Sequence, residues 1–263
     1  MKRLLLTLVF AALLFPVTRA DALPEANDAR PVATPSWGPS TMSAISHAVA
    51  SNGTHRLVAW GGDDDVIFAM RYGTDGLPAD AEPVLVSTSG SISDVEVATD
   101  GTDFLVVWED RAPSDDEIRA ARISQDGALL DTTPITVSKS GATARDPDVA
   151  WNGSAYQVVW ADLRNGAFDV FGNRLQPDGT VLDGDGFAVA ADGDDAEVPS
   201  VGSNGNGVLV AWASADAGST KIYGVRVASD GSVEDSTPIA IRTATQTGYR
   251  PRVASDGTDY LVA

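Results

Sequence analysis

The sequence predicts an all-β protein, a propeller of four-stranded antiparallel blades, and three registers running in phase along the chain predict it. The segments ending in Trp60, Trp108, Trp160 and Trp212 are near-copies, with tryptophans 48, 52 and 52 residues apart. Eight residues before each Trp stands a turn pair: Asn52-Gly53, Asp100-Gly101, Asn152-Gly153 and Asn204-Gly205. Downstream of each Trp, Arg71, Arg122, Arg174 and Arg226 precede by four residues the pairs Asp75-Gly76, Asp126-Gly127, Asp178-Gly179 and Asp230-Gly231. A fixed period of this length marks a repeat architecture, and four-stranded blades are the usual all-β solution.

Each unit reads as strands A to D. Strand A holds Val49, Val97, Val149, Val201 or Val253, and strand B is the run into the Trp, such as Phe104 to Trp108 or Tyr156 to Trp160. Strand C ends near the arginine, as in Ile118 to Ile123 or Ile222 to Val227. Strand D is Pro83 to Val86, Pro134 to Val137, Phe187 to Val189 or Pro238 to Ile241. Asn-Gly and Asp-Gly tolerate the positive φ of tight hairpins, so A pairs with B and C with D. Strand B is apolar at consecutive positions, so both of its faces are covered, as they are when sheets stack face to face.

Three regions follow. Lys2 and Arg3, an apolar run from Leu4 to Phe15, and the small residues around Ala20 to Ala22 have the layout of a cleavable signal peptide over residues 1–22. The apolar run is too short for a membrane span, which takes about 20 residues. The expectation is export to the periplasm, the cell surface or the medium, with no membrane span in the mature chain. Residues 23–47 form an N-terminal segment with an orphan outer strand near 31–34, because Pro31-Val32 precedes Pro83-Val84 by 52 residues. Such a strand fits a ring whose last blade borrows strand D from the other end. Residues 48–263 carry four blades and the start of a fifth. The period calls for a Trp directly after Ala263 and for an Arg-x-x-x-Asp-Gly soon afterwards, so a C-terminally truncated array is expected; sequencing the downstream coding region checks this.

The chain has no cysteine, which removes disulfides, thiolate metal sites, a cysteine nucleophile and lipid anchoring at the cleavage site. Its net charge of −19 becomes −21 on loss of the signal segment, with Lys2, Arg3, Arg19 and Asp21 going together. So acidic a surface, with no basic stripe, repels phosphate backbones, and nucleic-acid binding is not expected.

In an up-and-down blade the A-B and C-D turns share one face of the disc, and the B-C and D-A loops share the other. Length varies on the second face, since Trp60 to Arg71 spans 11 residues where later units have 14. That face is therefore the expected binding surface. Its clustered carboxylates, together with the Asp-Gly-Asp stretch after strand C, make Asp63, Asp64, Asp65, Asp115, Asp116, Asp183 and Asp185 weak calcium candidates. Neither Asp183-Gly-Asp185-Gly nor Asp192-Gly-Asp194-Asp195 completes an EF-hand pattern, so no cofactor is expected. The repeated arginine reads as a repeated salt bridge, with Asp110 and Asp162 as the expected partners. His47 and His55 sit at different repeat positions and lack zinc or triad spacing. Asn52 and Asn152 match glycosylation sequons but are explained as turn residues.

The unit Val-Val-Trp-x-Asp-x-Arg, clearest at Val158 to Arg164 and followed by Asp169-Val-Phe-Gly-Asn-Arg174, resembles the repeats of secreted bacterial β-propeller proteins. More loosely, it is similar to kelch and sialidase-type blades. The resemblance implies architecture. The sialidase Asp-box is not matched, because Ser255-Asp-Gly-Thr-Asp-Tyr260 places Asp and Gly side by side, and no arginine triad or Tyr-Glu pair maps onto the chain. The function expected from sequence is a non-catalytic exported binding or scaffold protein, taking a protein or glycan on the B-C/D-A face. The alternative is a propeller-type glycoside hydrolase with its site on that face.

Overall fold

Strand B is where the sequence commits the chain to stacking, and the computed structural model bears this out. It describes residues 44–62, 65–88, 91–111, 116–138, 141–191, 195–216, 219–246 and 250–263. The orphan strand expected near 31–34 and the segment assigned to export lie outside the described residues.

The first blade is β1 (Ala44–Ser51), β2 (His55–Gly62), β3 (Val66–Gly73) and β4 (Val84–Ser87). The second is β5 (Ser91–Thr99), β6 (Phe104–Arg111), β7 (Asp116–Ile123) and β8 (Ile135–Thr136). The third is β9 (Ala144–Trp151), β10 (Tyr156–Asp162), β11 (Asp169–Leu175) and β12 (Phe187–Ala190). The fourth is β13 (Asp195–Ser203), β14 (Gly207–Asp216), β15 (Ser219–Ala228) and β16 (Ile239–Gln246), and β17 (Val253–Ser255) pairs with β18 (Tyr260–Val262) as a further hairpin. Every four-stranded sheet is an antiparallel meander in chain order.

All of β10 is buried, as is β6 up to its last residue. Each apolar core lies between two blades: the cluster joining Leu57, Ala59 and Ile67 to Phe104, Val106 and Trp108 unites the first and second, and similar clusters unite the next pairs. Trp108, Trp160 and Trp212 are among the largest fully buried side chains. The A strands β1, β5, β9, β13 and β17 touch one another in succession. The blades therefore fan from an axis lined by strand A.

Two expectations are corrected. The C-D connection is not a tight hairpin. After the Asp-Gly turn the chain folds back on strand C through single bridges such as Ile123 to Leu129 and Leu175 to Val181, and only then reaches strand D. The arginine's partner is neither Asp110 nor Asp162 but the aspartate nine residues on, which anchors that excursion. Asp80, Asp131, Asp183 and Asp235 each accept from the backbone N–H and the guanidinium of Arg71, Arg122, Arg174 and Arg226 respectively. Nine residues is the distance at which the folded-back chain returns beside strand C. Asp110 instead lies 3.8 Å from Arg119, and Asp162 pairs with Arg164 at 2.5 Å.

The arginines also tie blade to blade. Arg122 Nη1 donates to the Pro177 carbonyl at 2.8 Å and Arg174 Nη1 to the Ser229 carbonyl at 3.4 Å, while Arg71 donates to the carbonyl of Gln125. Each acceptor lies in the C-D turn of the next blade. The glycine of that turn has positive φ and rests on the guanidinium: a Cβ on Gly179 would come within 3.0 Å of Arg122 Nε. Glycine is required there by both conformation and space.

Trp160→Ala should remove about 3–5 kcal/mol of stability, the range for emptying a fully buried aromatic site, as read from urea unfolding. A loss under about 1 kcal/mol would contradict the interlocked blades.

Candidate functional site

The axis is also where polar groups are forced together, because each A strand delivers its first residues to the same end. A β-bulge interrupts strand A opposite the Trp of strand B: Ser93 and Glu96 pair with Glu109 and Val107, leaving Asp94 and Val95 across from Trp108. The third and fourth blades repeat this at Asp146-Pro147 and Val198-Pro199. The first bulge residue takes positive φ, 45° at Asp94, 51° at Asp146 and 50° at Val198. Left-handed backbone at non-glycine residues is strained, and bulges of this kind re-aim side chains at functional sites. Proline suits the second bulge position because it has no N–H to lose from the ladder. In the second blade the Val95 N–H is instead satisfied by Ser46 Oγ of the first, at 2.8 Å.

Asp94 and Glu96 from β5, Asp146 and Asp148 from β9, and Glu197 from β13 gather at this end, with Glu109 of β6 beside them. Burial, reinforced by Asp148 and Asp94 and opposed by Arg252, pushes Glu96 up to about 8. Arg252 Nη2 lies 3.9 Å from Glu96 Oε1, too far for a hydrogen bond. Asp148 is also pushed up by burial, although Val201 N–H, Ser200 Oγ and its neighbour Val149 N–H donate to it at 2.8–2.9 Å. Burial raises Asp146 too, helped by Asp94, against Arg250 at 3.8 Å and Arg145 at 3.6 Å. Glu109 is raised by burial, against the Arg111 guanidinium at 2.5 Å and the Asp146 N–H at 3.2 Å. The charge of Asp94 thus bears on Glu96, Glu109 and Asp146 alike. On the rim, Arg145 binds Glu197 at 2.5 Å and lies over the Phe168 ring at 3.7 Å.

This arrangement can hold a proton through neutral pH, present carboxyl oxygens to hydroxyl groups, and set an ionised carboxylate beside a protonated one. Among the described residues no group of three or more His, Cys, Asp or Glu is placed to hold a metal ion. Of the calcium candidates, Asp63, Asp64 and Asp115 lie outside the described residues, and Asp65 is exposed. Asp116 opens β7, Asp183 is committed to Arg174, and the Asp185 carbonyl accepts from Arg164. Trp108, Trp160 and Trp212 of the repeat are buried opposite the strand A bulges, and the repeat arginines are committed to the aspartates nine residues on. The sequence points to the loops of the B-C/D-A face as a binding surface; the inner-strand carboxylates lie at the strand A ends that these loops enter. Their signal was positional: one and three residues before the strand A valine, the repeat admits Ala48, Glu96, Asp148, Ser200 and Arg252, and Ser46, Asp94, Asp146, Val198 and Arg250.

No family model matches the chain, and no curated protein does. Among solved structures, the chain is similar to a thermostable family-43 glycoside hydrolase at TM-score 0.51 and 13% identity, over 85% of this chain and 83% of that one. It is also similar to a subtype N10 neuraminidase-like protein of A/little yellow-shouldered bat/Guatemala, at TM-score 0.51 and 14% identity, over 73% and 58%. These likenesses show the propeller fold.

Raised carboxyls keep protons that the unfolded chain releases, so their contribution is complete below the ordinary carboxyl range and is lost as pH rises toward about 8 for Glu96. Asp235, held down by Arg226, has the opposite sign: its contribution is present above the ordinary carboxyl range and is lost only as pH falls through acid values. So does Asp162, where Arg164 and Trp160 overcome the effect of burial. Stability measured by urea unfolding should therefore fall between pH 5 and pH 8, on the order of 3 kcal/mol, and Glu96→Gln should flatten the fall. An unchanged slope in that variant would contradict the proton-sharing cluster.

Proposed function

We propose that the protein is a propeller-type glycoside hydrolase acting, after export, on a glycan bound at the axial mouth. The observation that carries this reading is Glu96, a carboxyl that keeps its proton at neutral pH within a group of carboxylates drawn from neighbouring blades. Glycoside hydrolysis takes two carboxyl groups in opposite protonation states, one to protonate the departing oxygen and one to activate water or meet the developing positive charge.

Glu96 takes the acid role, giving its proton to the glycosidic oxygen as the bond to the anomeric carbon breaks. Asp94 takes the partner role, because its charge acts on every raised carboxyl except Asp148 around the mouth. Asp148 is a positioning residue, fixed by Ser200 and Val201 and raising the proton affinity of Glu96 by its charge. The fold likeness to a family-43 glycoside hydrolase supplies a scaffold on which such chemistry occurs, and the assignment of roles rests on the carboxyl cluster itself.

The test is turnover of 4-nitrophenyl arabinofuranoside, xyloside and sialoside by the purified chain. Glu96→Gln should lower kcat/KM by about 10²-fold or more, the usual contribution of a general acid, and activity should decline as pH passes about 8, where Glu96 loses its proton. Turnover of none of these substrates, or turnover indifferent to Glu96→Gln, rejects the catalytic reading. Retention on glycan without turnover would restore the non-catalytic binding protein expected from the sequence.

A further inference from the structure

The strand A bulges deliver one buried hydroxyl to the carboxyl cluster. In β13 the bulge at Val198-Pro199 ends at Ser200, which pairs with Ala211 and is 1% exposed. Ser200 stands at the register of Glu96 and Asp148, one residue before the strand A valine. At this register a side chain reaches the following strand A. Asp148 of β9 accepts from Ser200 Oγ and the Val201 N–H of β13, and Ser200 in turn accepts from the Val253 N–H of β17 at 3.1 Å. The two strands run close together here: a Cβ on Gly202 would come within 2.7 Å of a Val253 methyl.

The direction of each bond follows from the groups that make it. A backbone N–H only donates, so Ser200 Oγ accepts from Val253 and its own proton is left for Asp148 Oδ2, at 2.9 Å. Oδ2 also accepts from the Val201 N–H at 2.9 Å, and Oδ1 from the Val149 N–H at 2.8 Å. Asp148 is thus met by three donors, the surroundings of an ionised carboxylate. A proton on Oδ2 would point at Ser200 Oγ and leave a buried hydroxyl without an acceptor among the described residues, which is costly. Glu96 lacks such support. No hydrogen bond from a described residue favours its ionised form, and Arg252 Nη2 stays 3.9 Å away. The other charges on the pair are Asp94 of β5, which acts on Glu96, and Arg252, ahead of β17, which acts on both. When two interacting carboxyls hold one proton, it rests on the one whose ionised form is less well stabilised.

We propose that Ser200, its hydroxyl oriented by the Val253 N–H, is a positioning residue that keeps Asp148 ionised and so assigns the shared proton to Glu96. The inference rests on the reading of Glu96 as the acid, and it supplies the reason that Glu96 and not Asp148 holds that role. Without the Ser200 hydroxyl the proton moves toward Asp148, and Glu96 becomes an ionised group that cannot protonate a departing oxygen.

The test is a carboxyl-carbon NMR titration of the full chain, labelled in one sample at glutamate and in another at aspartate. In the Ser200→Ala protein the glutamate midpoint near 8 should fall by at least about one pH unit, the tenfold change in proton affinity that one lost hydrogen bond to a charged group represents. An aspartate midpoint should rise in the same variant. Ser200→Thr, which keeps the hydroxyl, should restore both. Loosening of the fold would instead carry both midpoints down toward the ordinary carboxyl range, so movement in opposite directions separates proton transfer from structural damage. The basic limb of kcat/KM on whichever 4-nitrophenyl glycoside is turned over should shift down with the glutamate. A glutamate midpoint unmoved by Ser200→Ala, or glutamate and aspartate midpoints falling together, would overturn the proposal while leaving the hydrolase reading in place. Opposite shifts in a chain that turns over none of the glycosides would uphold the proton assignment and reject the hydrolase.

Discussion

The double-sided burial of strand B is the constraint from which the rest follows. A single four-stranded sheet has one face to bury, whereas β6 and β10 are apolar on two. Each blade must therefore find a neighbour on each side. The cores observed are shared between blades and not owned by any one of them. Stacking in a fan brings the A strands together at one axis, and whatever the sequence places at their ends must coexist there. Two kinds of polar structure then manage the edges of the stack. On one face, arginine-aspartate pairs anchor the long C-D excursion and seat the next blade's turn. On the other, the bulged ends of the A strands bring carboxyl groups into a partly buried cluster.

These two structures are built on opposite electrostatic terms. The arginine pairs join a forked cation to a bidentate anion, geometry in which both charges are satisfied. The axial carboxyls are under-compensated: Arg145, Arg250 and Arg252 approach them, yet burial prevails at Glu96, Asp146 and Asp148. A fold that tolerates unneutralised carboxyls and left-handed backbone at Asp94, Asp146 and Val198 gives up stability at that spot. Perturbed proton affinity in several carboxyls gathered at one place is the physical ground for the catalytic role proposed above.

What could be read from the sequence divides along the same line. The tryptophans, the turn pairs and the arginines recur because every interface needs them, and their recurrence made blades, strand order and stacking legible. Asp80, Asp131, Asp183 and Asp235 recur equally, nine residues after each arginine. A tight C-D hairpin would leave them far from the arginine and bring Asp110 and Asp162 near; the folded-back excursion reverses this. The axial residues were hidden for the opposite reason. One position before the strand A valine, the repeat reads Ala48, Glu96, Asp148, Ser200 and Arg252. Five different residues in five repeats look like noise until the A strands are brought to a common axis. In a repeat protein the periodic positions report packing, while a site assembled from several repeats must break the period.

The account stands on the burial of Glu96, reinforced by Asp148 and Asp94, keeping its proton on through neutrality. A carboxyl-carbon NMR titration of the glutamate-labelled chain reads this directly. It should find a glutamate titrating near 8, moved down by Asp148→Asn. A chain in which every glutamate titrates in the ordinary range near 4.3 would contradict the axial cluster and the chemistry assigned to it.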